Sequence, residues 1–399
     1  MKQCLTHMLF LILFLCHTPL LAQLSVSTTP AIQNNTKVNI SSRIYFPKEL
    51  INKHDTINIV FIGDVMQHTP QLSGALIKGK EKQKPESYNY SHMFKYIQPI
   101  LQKANIAVAN MEFPMGGAPY KGYPLFSAPE SIVWQAKKSG INLFLLANNH
   151  ILDMEKEGLN RTLNIYKELG VNHTGAYFSK EEEEKKNPII FNINGTKIAI
   201  INFTYGTNGN TIPKPYVINL MDSIHVKQTI NKAKQHGAQI IIAAPHWGEE
   251  YQLYPSATQR KWAKMLFREG VKIIIGTHPH VPQVAEIYYD AGEVQKFIFY
   301  SLGNYITNQS IPNYSQIELL VKVSIVKNNF TNKIIILPPN YEFMWCFKKN
   351  EFETDYTVIP IKELINKEHL VKNKFQYKRM INTYNYILEK KLIKEIYGR

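Results

Sequence analysis

An α/β protein built on a mixed sheet is predicted by three features of the sequence. Short apolar runs alternate with amphipathic stretches from Thr56 onward, the rhythm of strands joined by helices. Asn194-Gly195 separates two strand-like runs, a two-residue hairpin signal that makes part of the sheet antiparallel. Six of the apolar runs end in a side chain able to bind a metal, the pattern expected where strand carboxyl ends converge on one crevice.

In chain order, "INIVFIG" at 57–63 reads as the first strand. Met93, Ile97, Ile100, Leu101 and Ala104 then recur at helical spacing, and "IAVAN" at 106–110 is the next strand. "PESIVWQAKKSG" at 129–140 is a helix leading into the strand "INLFLLA", and Leu159, Leu163, Tyr166 and Leu169 mark a further helical face. "PIIFNINGTKIAIINFTY" at 188–205 is the hairpin. Alternation resumes with a helix over 223–237 and the strand "QIIIAA". The next helix is opened by Ser256 with Gln259 three residues on, a capping box, and closed by Gly270. "VKIIIG", "KFIFYSLGN" and a second hairpin over 317–338 follow. The run "KEEEEKK" at 180–186 reads as a solvated loop.

Composition bounds the rest. With 399 residues, 44% of them hydrophobic, the chain can bury a sizeable core. Residues 1–22 carry Lys2, an apolar run from Met8 to Cys16, and an end at Ala22. They read as a signal peptide cleaved before Gln23, or as an uncleaved anchor, and in both cases the chain is exported to the periplasm or cell envelope. Residues 23–55, rich in Ser, Thr and Asn, read as a linker. The main domain is placed at 56–345, with a basic, largely helical extension over 346–399. Cys4 and Cys16 lie in the signal, so Cys346 stands alone in the mature chain and no intramolecular disulfide forms. Any metal must be held by His, Asp, Glu and Asn. The net charge of +15 includes Lys2 and favours an anionic polymer, a phosphorylated substrate or a membrane surface as partner, with no nucleic acid expected of an exported chain.

The six strand ends deliver Asp64, Glu112, Asn149 with His150, His246, His278 with His280, and Asn304. Taken singly, each reads as a turn or loop residue. Their repetition at strand ends argues for one shared site. Asp64, Glu112, Asn149, His246, His278 and His280 form a mixed N/O set suited to Mn, Zn or Fe, and six donors point to two ions with a shared carboxylate. His278 and His280, separated by a proline, are expected on one face of an extended segment. Asp153, Glu249, Asn148 and Asn304 are candidates for orienting ligands or substrate, although Asp153 could equally cap a helix beginning near Glu155. His54, His68, His92, His173, His225 and His236 lack strand-end placement and default to surface or core roles.

The motifs "GDVM" at 63–66, "ANMEFP" at 109–114, "NNHILDMEKEGLNRTL" at 148–163, "HWGEEY" at 246–251, "GTHPHVPQ" at 276–283 and "SLGNYI" at 301–306 resemble, in order, those of the capsule-synthesis CapA family associated with poly-γ-glutamate. That family is similar in fold to the calcineurin-like metallophosphoesterases, which implies a four-layer αββα sandwich with mixed sheets. It also implies that the six donors above bind metal and that His150 is the catalytic imidazole, with Asp153 beside it. Three positions depart from the phosphoesterase pattern: Met66 stands where a His is expected, Glu112 where an Asp is usual, and "NNH" replaces "GNH". The resemblance implies a role in assembly or export of an envelope or capsule polymer alongside membrane-bound biosynthesis proteins, with metal-dependent hydrolysis as its chemistry. A noncatalytic polymer-binding component and a true phosphoesterase are the competing readings.

Overall fold

Strand Thr56–Val65 lies at the centre of one half of the sheet. It runs parallel to Ile106–Met111 and antiparallel to Ile317–Lys327. Ile106–Met111 pairs in parallel with Leu143–Leu145, which pairs in parallel with Asn172–Thr174. In the other half, Ile240–His246 runs parallel to Thr196–Thr204 and to Ile273–Ile275, and the latter runs parallel to Glu293–Phe299. Short strand Ile334–Ile336 bonds to both Ile317–Lys327 and Glu293–Phe299, so hydrogen bonding continues from one half into the other. The computed structural model describes residues 56–328, 331–352, 355–372 and 374–398; the signal-like segment and the linker lie outside the described residues.

Three apolar clusters define the layers. Ile57, Ile59 and Phe61 meet Ile198, Ile200 and Ile242 between the two halves of the sheet. Val60 and Ile62, on the opposite face of the same strand, pack with Leu159 and Leu163 of helix Glu155–Glu168. On the far side Ile241 and Ala243 pack with Ile230 of helix Ser223–Gln235 and Leu266 of helix Ala257–Arg268. Alternate residues of each strand thus face different layers, and the order is helix, sheet, sheet, helix. A strand buried on both faces must be apolar along its whole length, which is why these strands were visible as continuous runs.

Local signals are realised where their chemistry is strong. Asn194 (φ 51°) and Gly195 (φ 74°) make the turn between Ile189–Ile193 and Thr196–Thr204, both in the left-handed region that this hairpin requires. Ser256 Oγ accepts from Gln259 N and Gln259 Oε1 accepts from Ser256 N, completing the capping box. Among the described residues no helix is long and apolar enough to cross a membrane.

Four expectations are corrected. The helical spacing over Met93–Ala104 yields two single-turn helices, Ser91–Phe94 and Gln98–Leu101, because Pro99 has no N–H to continue the ladder. "KEEEEKK" is a helix, Lys180–Lys186, capped by Ser179 and laced by Glu181–Lys185 and Glu182–Lys186 pairs, the favourable Glu-before-Lys order at i,i+4. The boundary at 346 falls inside strand Asn340–Phe347, which places Met344 and Cys346 in one cluster and Trp345 and Phe347 in another. The residues beyond it form one long helix, Lys374–Glu389, and also two strands of the main sheet, Thr357–Pro360 and Ile393–Tyr397, the last pairing in parallel with Ala285–Asp290.

Candidate metal centre

The strand ends converge. Asp64, Asn148, Asn149, His150, Asp153, Glu112, His246, His278, His280 and Asn304 are each no more than 6% exposed. Close backbone approach makes this possible: a Cβ on Gly63 would lie 1.9 Å from Gly303 O, so only glycine lets the first strand and the Asn304 strand bring Asp64 and Asn304 level.

Asn110 is the hub of the cluster. Its Nδ2 donates to Asp64 Oδ1 (2.8 Å) and Glu112 Oε2 (3.2 Å), and lies 3.3 Å from His246 Nδ1. Asp64 Oδ2 accepts from His278 N (3.2 Å) and is 3.1 Å from His280 Nδ1. Glu112 Oε1 sits 3.6 Å from both His246 Nε2 and His280 Nε2. Asn149 Oδ1 is 2.7 Å from His246 Nε2. Asn110 was missed in the sequence, although it stands two residues before Glu112 and therefore on the same strand face.

Two sets of ligand atoms lie within 4.8 Å of one another, Glu112 with His278 and His280, and Asp64 with Glu112 and His246. Glu112 belongs to both. Burial, then the charge of Asp64, pushes the Glu112 carboxyl well above the usual range, whereas burial, then the neighbouring imidazoles, holds His246 and His278 well below 6.5. Neutral imidazole is the ligating form. Glu112 Oε1 and His278 Nδ1 are buried without a hydrogen-bond partner, a costly state unless something else is bonded there. These orphaned atoms fit a divalent cation.

His278 and His280 do not lie on an extended segment. Both have positive φ, 98° and 59°, a strained turn of the sort that clusters at functional sites, with their rings 5.8 Å apart. Asp153 does not cap the helix that starts at Glu155: its Oδ2 accepts from Phe126 N (2.9 Å) and lies 2.7 Å from His150 Nδ1. Asn148 is a brace, donating to Met111 O and accepting from His150 N. Asn304 likewise holds backbone, donating to His280 O and Ser315 O. Glu249 is exposed and makes no hydrogen bond or ion pair into the cluster, while the charge of Glu250 beside it does reach Glu112. Met66 is buried in the apolar core.

Residues the sequence did not single out complete the surroundings. Thr277 Oγ1 is 3.0 Å from His246 Nδ1. His68 stands at the edge of the cluster, its Nδ1 2.9 Å from Gln71 Oε1 and its ring 5.5 Å from Phe126; burial lowers its pKa to about 4, with smaller contributions from His280 and His150. Gln71 Nε2 donates to Met66 O, so Oε1 is the atom facing His68, and Asn308 N approaches the same His68 Nδ1 at 3.3 Å.

The family described as bacterial capsule synthesis protein PGA_cap matches residues 58–309. The capsule biosynthesis protein CapA of Bacillus anthracis is 31% identical over 254 residues, 60% of each chain, and the PGA biosynthesis protein CapA of Bacillus subtilis (strain 168) is 31% identical over 278 residues, 66% of each. The match thus spans less than two thirds of the length of these relatives. Among solved structures, the calcineurin-like phosphoesterase YfkN from Bacillus subtilis aligns with 84% of this chain and 98% of its own at 12% identity and a TM-score of 0.43. The family match covers every strand end that contributes to the cluster, and the chain belongs to the bacterial capsule synthesis protein PGA_cap family.

Proposed function

We propose that this protein is an exported metal-dependent hydrolase acting in assembly or export of an envelope or capsule polymer, at a centre holding two divalent ions. The observation that carries the reading is the pair of orphaned buried atoms, Glu112 Oε1 and His278 Nδ1, within donor sets that share Glu112. Asp64, Glu112, Asn149, His246, His278 and His280 hold the ions, and Mn, Zn and Fe all suit this N/O set. When bound, such ions supply Lewis acidity and lower the pKa of water.

The chain's own residues do the rest. Asn110 fixes both carboxylates by donating to each of them. Asp153, already accepting from Phe126 N, takes the Nδ1 proton of His150 as a hydrogen bond. With Nδ1–H held by Asp153, the protonated form of His150 carries a second proton on Nε2, which it can pass to a leaving group. The Phe126 ring, 4.7 Å from His150 and edge-on to it, shields that imidazole from bulk water. The polymer's anionic groups are met by the basic balance of the chain, +15 in total.

The test is a substrate screen on the purified protein with each metal restored, using phosphodiester and γ-glutamyl model compounds. Metal-dependent turnover that a chelator abolishes is expected. Polymer binding unchanged by His150→Ala, with no turnover under any metal, would establish a binding component instead.

A further inference from the structure

Strands Asn172–Thr174 and Ile189–Ile193 stand at the two ends of the sheet's hydrogen-bonded order, and both contribute residues to one cavity of about 410 Å³. It lies along the strands and not at their carboxyl ends. His173 is level with Phe144, and Ile190 with Ala199 and so with Ile241, all ahead of Asn149 and His246 in their strands. Lys185, Lys186, Lys232 and His236 line the cavity, and no Asp or Glu does. Lys232 Nζ is held by two carbonyls, Asn187 O (2.8 Å) and Glu184 O, and not by a carboxylate. Lys185 and Lys186 reach Glu181 and Glu182 (2.7 and 2.6 Å) with the lysine side chains 72% and 53% exposed. Pairs this exposed are worth little, so either ammonium can turn to another anion. A buried member of the lining carries the second observation: His173 is 8% exposed, and neither of its ring nitrogens has a hydrogen-bond partner. The Val171 backbone approaches the ring without completing a hydrogen bond, and the charge of Lys186 reaches it. An imidazole carries at least one N–H, and burying it unpaired is costly unless a ligand accepts from it.

We infer that this cavity is an oxyanion site, in which a carboxylate or phosphate group accepts hydrogen bonds from His173 and from Lys185, Lys186 and Lys232 at a place apart from the metal centre. It does not rest on the hydrolytic reading of that centre. Hydrogen bonds from ammonium groups to an ionised acceptor are the strong ones, and a recess walled by one sign of charge concentrates anions. The volume is in the range of ligand sites, roughly 300–1,000 Å³, so the cavity has room for a short stretch of chain around the bound group. A polymer held here as well as at the strand-end cluster is gripped twice, and the second contact forms at the effective concentration set by the first.

Isothermal titration of the full-length protein at low ionic strength, with oligo-γ-glutamate and separately with inorganic phosphate, tests the inference. At least one of the two is expected to bind at a site that persists in a His278→Ala, His280→Ala double variant, and the ligand that does so identifies the source of the oxyanion. Lys186→Gln and Lys232→Gln should each weaken that binding about fivefold, the loss of roughly one ion pair. Lys186 is exposed, so its replacement leaves the fold intact. His173→Gln, which keeps an N–H donor, should retain more affinity than His173→Leu. The inference is overturned if neither ligand binds, if Lys186→Gln and Lys232→Gln bind as tightly as wild type, or if all binding disappears with His278 and His280, which would place it at the metal centre.

Discussion

His150 and Asn110 separate chemistry from scaffolding at the level of single side chains. If His150 Nε2 moves a proton, His150→Ala should leave the metal in place and cut turnover by roughly 100- to 10,000-fold, and His150→Asn should rescue little, because an amide cannot release a proton near neutral pH. Steady-state rates and metal content for the two variants check this; a fully active Asn variant removes His150 from the mechanism. Asn110 acts through its neighbours. Asn110→Leu removes the donor to Asp64 and Glu112 and should weaken metal binding by about 10- to 100-fold, the usual span for an outer partner of ligands. A chelator competition titration reads that change, and an unchanged affinity would make Asn110 a packing residue only.

Elements matter here for where they end. The first strand and the Asn304 strand pair with Asp64 opposite Asn304, and Gly63 permits the approach. Gly63→Ala would set a Cβ 1.9 Å from Gly303 O, so the strands must separate. A loss on the order of 3 kcal/mol in urea unfolding is expected, together with weakened metal binding; a variant of wild-type stability would show that the strands move apart freely. The ligands could be seen in the sequence because each follows an uninterrupted apolar run, as at "IIIAAPH" and "KIIIGTHPH". Asn110, the penultimate residue of its strand, is overshadowed by Glu112 two residues on, the carboxylate that marks the same strand end. His68 could not be seen, because only the fold places it beside Phe126. The turn through His278 and His280 was misread since nothing local reveals a positive φ at a histidine. Strand Ile393–Tyr397 was hidden by its position at the sheet edge, where four of its five residues are exposed and no apolar run forms.

On the scale of the whole molecule, buried imidazoles make stability depend on pH. His173, 8% exposed and remote from the metal centre, has a pKa lowered to about 4, chiefly by burial. Its unfolded value is higher, so the unfolded chain binds the proton first. The stability it contributes is complete above about pH 6.5 and is lost as pH falls toward 4. Urea unfolding should lose about 2 kcal/mol from this residue between pH 7 and pH 5. His173→Gln should flatten that slope, and an unchanged slope would place the pH dependence elsewhere. The central claim is that the convergent strand ends hold divalent metal. Elemental analysis of the protein purified without added metal, wild type beside a His278→Ala, His280→Ala double variant of confirmed fold, tests it most directly: near-stoichiometric Mn, Zn or Fe in the wild type, with one or both ions missing from the variant, is expected, and equal metal content in the two proteins, or none in the wild type, would contradict it.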